Sequence, residues 1–89
     1  MIEQIITVTN RAGIHARPSA MIVSLTKNFK SNIYFEKDDD RINAKSIMGL
    51  LTLGAAYGAT LKIIADGEDE AQALEKIVQL VESKFLEEE

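Results

Sequence analysis

The chain has 89 residues, 46% of them apolar, no cysteine and a formal net charge of −4. That length predicts one domain over residues 1–89, with enough apolar material to fill a single core. The missing thiols exclude disulfides, thiolate nucleophiles and zinc–thiolate sites, and the acidic balance argues against nucleic acid, whose phosphates need a concentrated basic surface.

The opening "MIEQIITVTN" lacks a basic stretch followed by a long apolar one, and no apolar run approaches the ~20 residues of a membrane span, so a cytoplasmic protein without membrane association is expected. Within it Ile2, Ile6 and Val8 alternate with Glu3 and Thr7, the period of a half-buried strand. Ile5 breaks the alternation and predicts partial cover on the strand's other face. "RPSAMIVSLTKNF" changes to helical spacing, with Ile22, Leu25 and Phe29 on one stripe.

"NIYFEK" returns to period two, with Ile33 and Phe35 opposite Tyr34 and Glu36. "DDD" supplies a turn and "RINA" a short returning strand, together a hairpin. A short helix follows in "SIMGLLTL", closed by Gly54 as a left-handed stop. "ATLKIIA" is a fourth strand with Leu61, Ile63 and Ala65 facing one way. A last helix is predicted through "EAQALEKIVQLVESKF" with Leu74, Ile77, Val78, Val81 and Phe85 as its stripe. Asp69 and Gln72 have the spacing of a capping box at its start. The acids of "EKDDD", "DGEDE" and the terminal "EEE" read as solvated turns, helix starts and a tail.

The order β-α-β-β-α-β-α predicts an α+β sandwich: a mostly antiparallel four-stranded sheet with three helices on one face. Glu3, Thr7, Tyr34, Glu36 and Lys62 would cover the open face.

Three features could carry chemistry. His15, the only histidine, stands just before a helix start, with Gly13 leading in, Arg17 two residues on and Pro18 in the first turn. Imidazole titrates near pH ~6.5 and is largely a neutral nucleophile at neutral pH. The first N–H groups of a helix lack intrahelical partners and carry the positive end of its dipole. An anion on His15 would meet those donors and the Arg17 guanidinium, and phosphate fits best. A plain solvated loop histidine is the alternative, and these residues alone leave it open.

Ser46 stands where an N-cap hydroxyl belongs, so capping explains it; a phosphate there would also face a helix start, with Lys45 beside it. Leu50 and Leu53 can serve the core together, whereas Ile47, Met48 and Leu51 fall on another side of the same short helix. They either pack under a loop or form an exposed docking patch. No metal site or organic cofactor is expected, because no metal-ligand spacing, P-loop or dinucleotide fingerprint is present.

With "GIHARPSAMIV" and "NAKSIMGLLTLGAAYGA" both in view, the chain resembles, over essentially its whole length, the HPr family. These are the histidine-containing phosphocarriers of the phosphoenolpyruvate-dependent sugar phosphotransferase system. The resemblance implies an open-faced β-sandwich with strand order 1-4-2-3. It implies that Nδ1 of His15 accepts a phosphoryl group from phosphorylated enzyme I and passes it to enzyme IIA domains. Arg17 would stabilise the phosphohistidine, with Ala16 and Pro18 at the helix N-terminus. Such a chain is a phosphotransfer intermediate and not an independent enzyme.

The resemblance further implies docking through Ile47, Met48 and Leu51 with Ala20, Met21 and Ser24 of the first helix, to which Lys27 and Lys45 would add positive charge. Ser46 matches the residue modified by HPr kinase/phosphorylase, which would oppose enzyme I and engage a transcriptional regulator. A monomer is expected. Ser24 is shorter than the polar residue common in relatives, and Leu51 replaces a frequent methionine. Two other readings stand beside the carrier: a regulatory module switched at Ser46, and the nitrogen-related branch of the same system, to which "KSIMG" is less close.

Overall fold

The computed structural model describes residues 1–86, so the terminal "EEE" expected as a solvated tail lies outside the described residues. The elements are β1 (Ile2–Thr7), α1 (Ala16–Thr26), β2 (Asn32–Lys37), β3 (Asp40–Asn43), α2 (Ile47–Leu53), β4 (Thr60–Asp66) and α3 (Glu70–Glu82), followed by a short 3-10 turn, Lys84–Leu86. The four strands form one sheet in the order β1-β4-β2-β3, every pair antiparallel. The sheet packs one face on the helices, and the predicted open-faced sandwich is the fold observed.

Period-two alternation puts Ile6, Ile33, Phe35, Leu61 and Ile63 into the core, where Ile22 of α1, Leu50 of α2 and Ile77 of α3 meet them. β4 lies centrally, with Ile6 opposite Leu61 on one side and Phe35 opposite Ile63 on the other. Ile64 points to the open face yet is 1% exposed, because Glu3 and Tyr34 flank it in register. Ile5, on the edge strand, has a neighbour on one side only and is 64% exposed, so the cover expected over it is absent. The rest of the open face is polar: Arg41 bonds Glu36 at 2.9 Å and lies over the Tyr34 ring.

Three boundaries differ from the periodic reading. α1 ends at Thr26, and Phe29 packs half-buried from the turn that follows. Asp40 belongs to β3, leaving Asp38 and Asp39 as the hairpin turn, with Asp38 at φ +56°. α3 stops at Glu82; Phe85 is buried through left-handed backbone at Lys84, Phe85 and Leu86 instead of by helical continuation.

Asp69 stands at the N-cap of α3 but its side chain does not cap the helix. Its carboxylate accepts the Lys30 amide at 2.8 Å, the Ser31 amide at 2.9 Å and a short bond from the Ser31 hydroxyl. Asp69 therefore ties the end of the α1–β2 turn to the start of α3, and the capping box with Gln72 is not formed. Instead, the Glu70 carboxylate accepts the Gly67 amide at 3.2 Å.

Candidate functional site

His15 is the N-cap residue of α1, in extended backbone at φ −98°, ψ −163°, and its imidazole does not cap the helix. Its carbonyl accepts the Ser19 N–H at 3.0 Å, and its own N–H donates to the Gly13 carbonyl at 3.1 Å. The backbone is therefore fixed on both sides while the residue itself is exposed. The helix begins with Ala16 and Arg17, whose N–H groups have no carbonyl four residues back within the helix. Pro18, third in the helix and buried, has no N–H to leave unpaired.

No acidic side chain lies in this first turn. The dipole's positive end and the exposed Arg17 guanidinium thus share one sign, which favours an incoming anion.

The loop entering the site is held against the segment after α2. Ile14 donates its N–H to the Ala55 carbonyl at 2.8 Å, Val8 to Ala59 at 2.9 Å, and Gly58 to Val8 at 2.9 Å. Gly13 is at φ +70°, and a Cβ there would lie 2.6 Å from the Ala55 carbonyl oxygen. Only glycine accepts both that conformation and that contact. The fully buried Asn10 closes the loop from within, its Nδ2 donating to the Gly13 carbonyl at 2.8 Å. Sequence reasoning does not single out Asn10. The signal that could have found it is "NRAG", an Asn three residues before a Gly, which is turn chemistry.

Ala20, Met21 and Ser24 line an open hollow of about 470 Å³ between α1 and α3, with Arg17 among its walls and Leu80 on the far side. Lys27 caps the C-terminus of α1 and is exposed. Lys45 is more committed than the sequence suggested: its ammonium donates to the Phe29 carbonyl at 2.7 Å. With the buried Thr26 hydroxyl, which donates to the Ala44 carbonyl at 2.9 Å, it straps the end of α1 to the segment leading into α2.

Ser46 is the N-cap of α2, its Oγ accepting the Gly49 N–H at 3.1 Å. Leu50 and Leu53 are buried, while Ile47, Met48 and Leu51 are 42%, 69% and 40% exposed. Of the two arrangements the sequence allowed for these three, the exposed patch is the one observed. α1 and α2 pack against each other, so the patch lies on the helix next to the one that begins at His15. Among the described residues, no three His, Cys, Asp or Glu side chains gather as metal ligands, and no helix is long and apolar enough to cross a membrane.

The family model described as "PTS HPr component phosphorylation site" matches residues 2–83. The phosphocarrier protein HPr of Treponema pallidum is 44% identical over 88 residues, covering 99% of this chain and 100% of its own. The HPr-like protein Crh of Bacillus subtilis is 42% identical over 84 residues, covering 94% and 99%. A crystal structure of HPr from Thermoanaerobacter tengcongensis superposes with a TM-score of 0.96 at 46% identity, covering all of both chains. A second structure from that organism is of an HPr dimer and superposes at 0.77, covering 96% and 98% at the same 46% identity.

Proposed function

The chain belongs to the HPr family, and from that premise we propose that it carries phosphoryl groups on His15, from phosphorylated enzyme I to enzyme IIA domains serving sugar uptake. The observation that supports this most is the exposed His15 at the N-cap of α1, with Arg17 in the turn it opens. In the first transfer the Nδ1 lone pair attacks phosphorus as the donor's bond to phosphorus breaks, and Nε2 keeps its proton. In the second, Nδ1 is the leaving atom. Phosphoryl transfer spreads charge over three oxygens and demands little covalent chemistry from the protein, so positioning and electrostatics do most of the work. We assign both tasks to the helix-start amides and the Arg17 guanidinium.

Exposure of His15 suits a carrier, since two different active sites must each close over it. The docking surface we assign is Ala20, Met21, Ser24 and Lys27 on α1 with Ile47, Met48 and Leu51 on α2, and Lys45 at its margin. A cytoplasmic setting, a monomeric state and a single domain over residues 1–89 go with this reading. Incubation with enzyme I and labelled phosphoenolpyruvate should give an acid-labile label that an enzyme IIA domain removes and that His15→Ala abolishes. An unlabelled wild-type chain would defeat the proposal.

A regulatory reading is favoured by one observation of its own, the full-length similarity to Crh. Ser46 stands next to Ile47 and Met48, so a phosphate on it, made by a kinase such as HPr kinase/phosphorylase, would place about −1.5 to −2 charge beside the apolar patch. Enzyme I would then dock more weakly, and a transcriptional regulator could read the modified face. Ser46→Asp is expected to raise KM for enzyme I; an unchanged KM would remove support for this switch.

A further inference from the structure

The loop between β1 and α1 is built around a side chain that phosphoryl transfer, as described above, does not use. Asn10 is 0% exposed. Its backbone carbonyl accepts the Gly13 N–H at 3.1 Å, closing a turn over residues 10–13. Its side-chain Nδ2 donates to the Gly13 carbonyl at 2.8 Å. One residue therefore binds both polar groups of Gly13. The same Gly13 carbonyl accepts the His15 N–H at 3.1 Å, so a single oxygen joins the Asn10 amide to the backbone of the phosphoryl acceptor.

Gly13 also lies close against the segment that follows α2. A Cβ on it would meet the Ala55 carbonyl oxygen at 2.6 Å and Ala56 Cα at 2.8 Å, and the next residue, Ile14, is bonded to Ala55 at 2.8 Å. The carbonyl that accepts the His15 N–H is thus held by a buried amide, in a loop whose Gly13 Cα sits close against the 55–56 backbone.

We infer that Asn10 is a positioning residue for phosphoryl transfer: by holding the Gly13 carbonyl, it fixes the direction in which His15 leaves the loop and so aims the imidazole at the incoming phosphorus. This inference rests on the carrier reading. In-line transfer is sensitive to aim, and a misplacement of about 1 Å can cost on the order of 10²-fold in rate. The requirement is for a donor at this depth. Alanine offers none, and aspartate would set a carboxylate oxygen against the Gly13 carbonyl oxygen in place of the lost donor. Ala20, Met21, Met48 and Leu51 take no part in the Asn10 bonds, so the loss should fall on kcat and leave KM for the donor close to its original value.

The test uses the full chain with phosphorylated enzyme I as donor, comparing wild type with Asn10→Ala and Asn10→Asp by rapid quench. Amide exchange at His15 and at Ile63, in the centre of β4, is followed by NMR on the same samples. We expect kcat to fall about tenfold or more in both variants, with KM within about twofold, as a loss of aim predicts. His15 amide exchange should quicken about tenfold while Ile63 protection is unchanged. A variant with wild-type kcat, or one whose kcat falls only as Ile63 loses protection, would overturn the positioning role. If wild type is labelled and the variants match it, that role alone fails. If wild type takes no label, the carrier reading fails and the positioning role falls with it.

Discussion

Arg17 and Ser46 each sit at a helix start, but their environments ask different things of them. Arg17 places positive charge at the positive end of α1, where both would draw an arriving phosphoryl group. Its replacement by alanine should therefore lower the rate of transfer to and from His15 by about 10²-fold, the scale seen when one transition-state donor is lost. Melting temperature should stay nearly constant, and a large drop in it would assign Arg17 to folding. Ser46 is the reverse case. Its Oγ accepts the Gly49 amide at 3.1 Å, so Ser46→Ala should cost about 1 kcal/mol of stability by chemical denaturation while transfer through His15 proceeds. Both placements were legible in the sequence, because capping positions and helix starts are local. Asn10 was not, because its role depends on its buried bond to the Gly13 carbonyl in a loop seated at Gly13 against the 55–56 backbone, an arrangement no periodicity reports.

At the scale of elements, Asp69 illustrates how a correct residue can be given the wrong partner. Its position at a helix start suggested capping, but Lys30 and Ser31 bring three donors to its carboxylate. The Ser31 hydroxyl, then the Lys30 amide, hold its pKa down to about 2 from an ordinary 3.8. A depressed carboxylate pKa stabilises the fold above the unfolded value and loses that contribution as pH falls through the folded one. The wild type should therefore lose stability between pH 3.8 and about 2 that Asp69→Asn, already without the charge, does not lose over the same range. Denaturant titrations of both at several pH values check this; parallel curves would mean that the tie contributes nothing. The glycines divide in the same way. Gly54 closes α2 at φ +66°, and a methyl group added there would meet nothing nearer than 4.0 Å, so Gly54→Ala should cost about 1–2 kcal/mol from backbone conformation alone. Gly13→Ala adds a clash to that strain and should disturb the His15 loop as well, read as faster exchange of the Ile14 amide. Strand and helix order followed from apolar spacing. The ends of α1 and α3 did not, because Phe29 and Phe85 keep the spacing of a helical stripe while reaching the core from turns.

Over the whole molecule, the sheet and helices serve to hold the start of α1 open beside the exposed side of α2. Core truncation should therefore act on stability before it acts on transfer: Phe35→Ala, at a fully buried position, should cost about 3–5 kcal/mol. Changes to the exposed patch should do the opposite, with Met48→Glu raising KM for enzyme I at an unchanged melting temperature. Size measurement by light scattering should give the mass of one chain; a stable dimer, as in the Thermoanaerobacter relative, would correct the monomer. The central claim is that His15 carries the phosphoryl group, and phosphorus NMR of the chain after reaction with enzyme I and phosphoenolpyruvate tests it most directly. The expected result is one phosphorus resonance coupled to Nδ1 of His15, absent from His15→Ala. A phosphoryl group on Ser46 alone, on Nε2, or nowhere would contradict it.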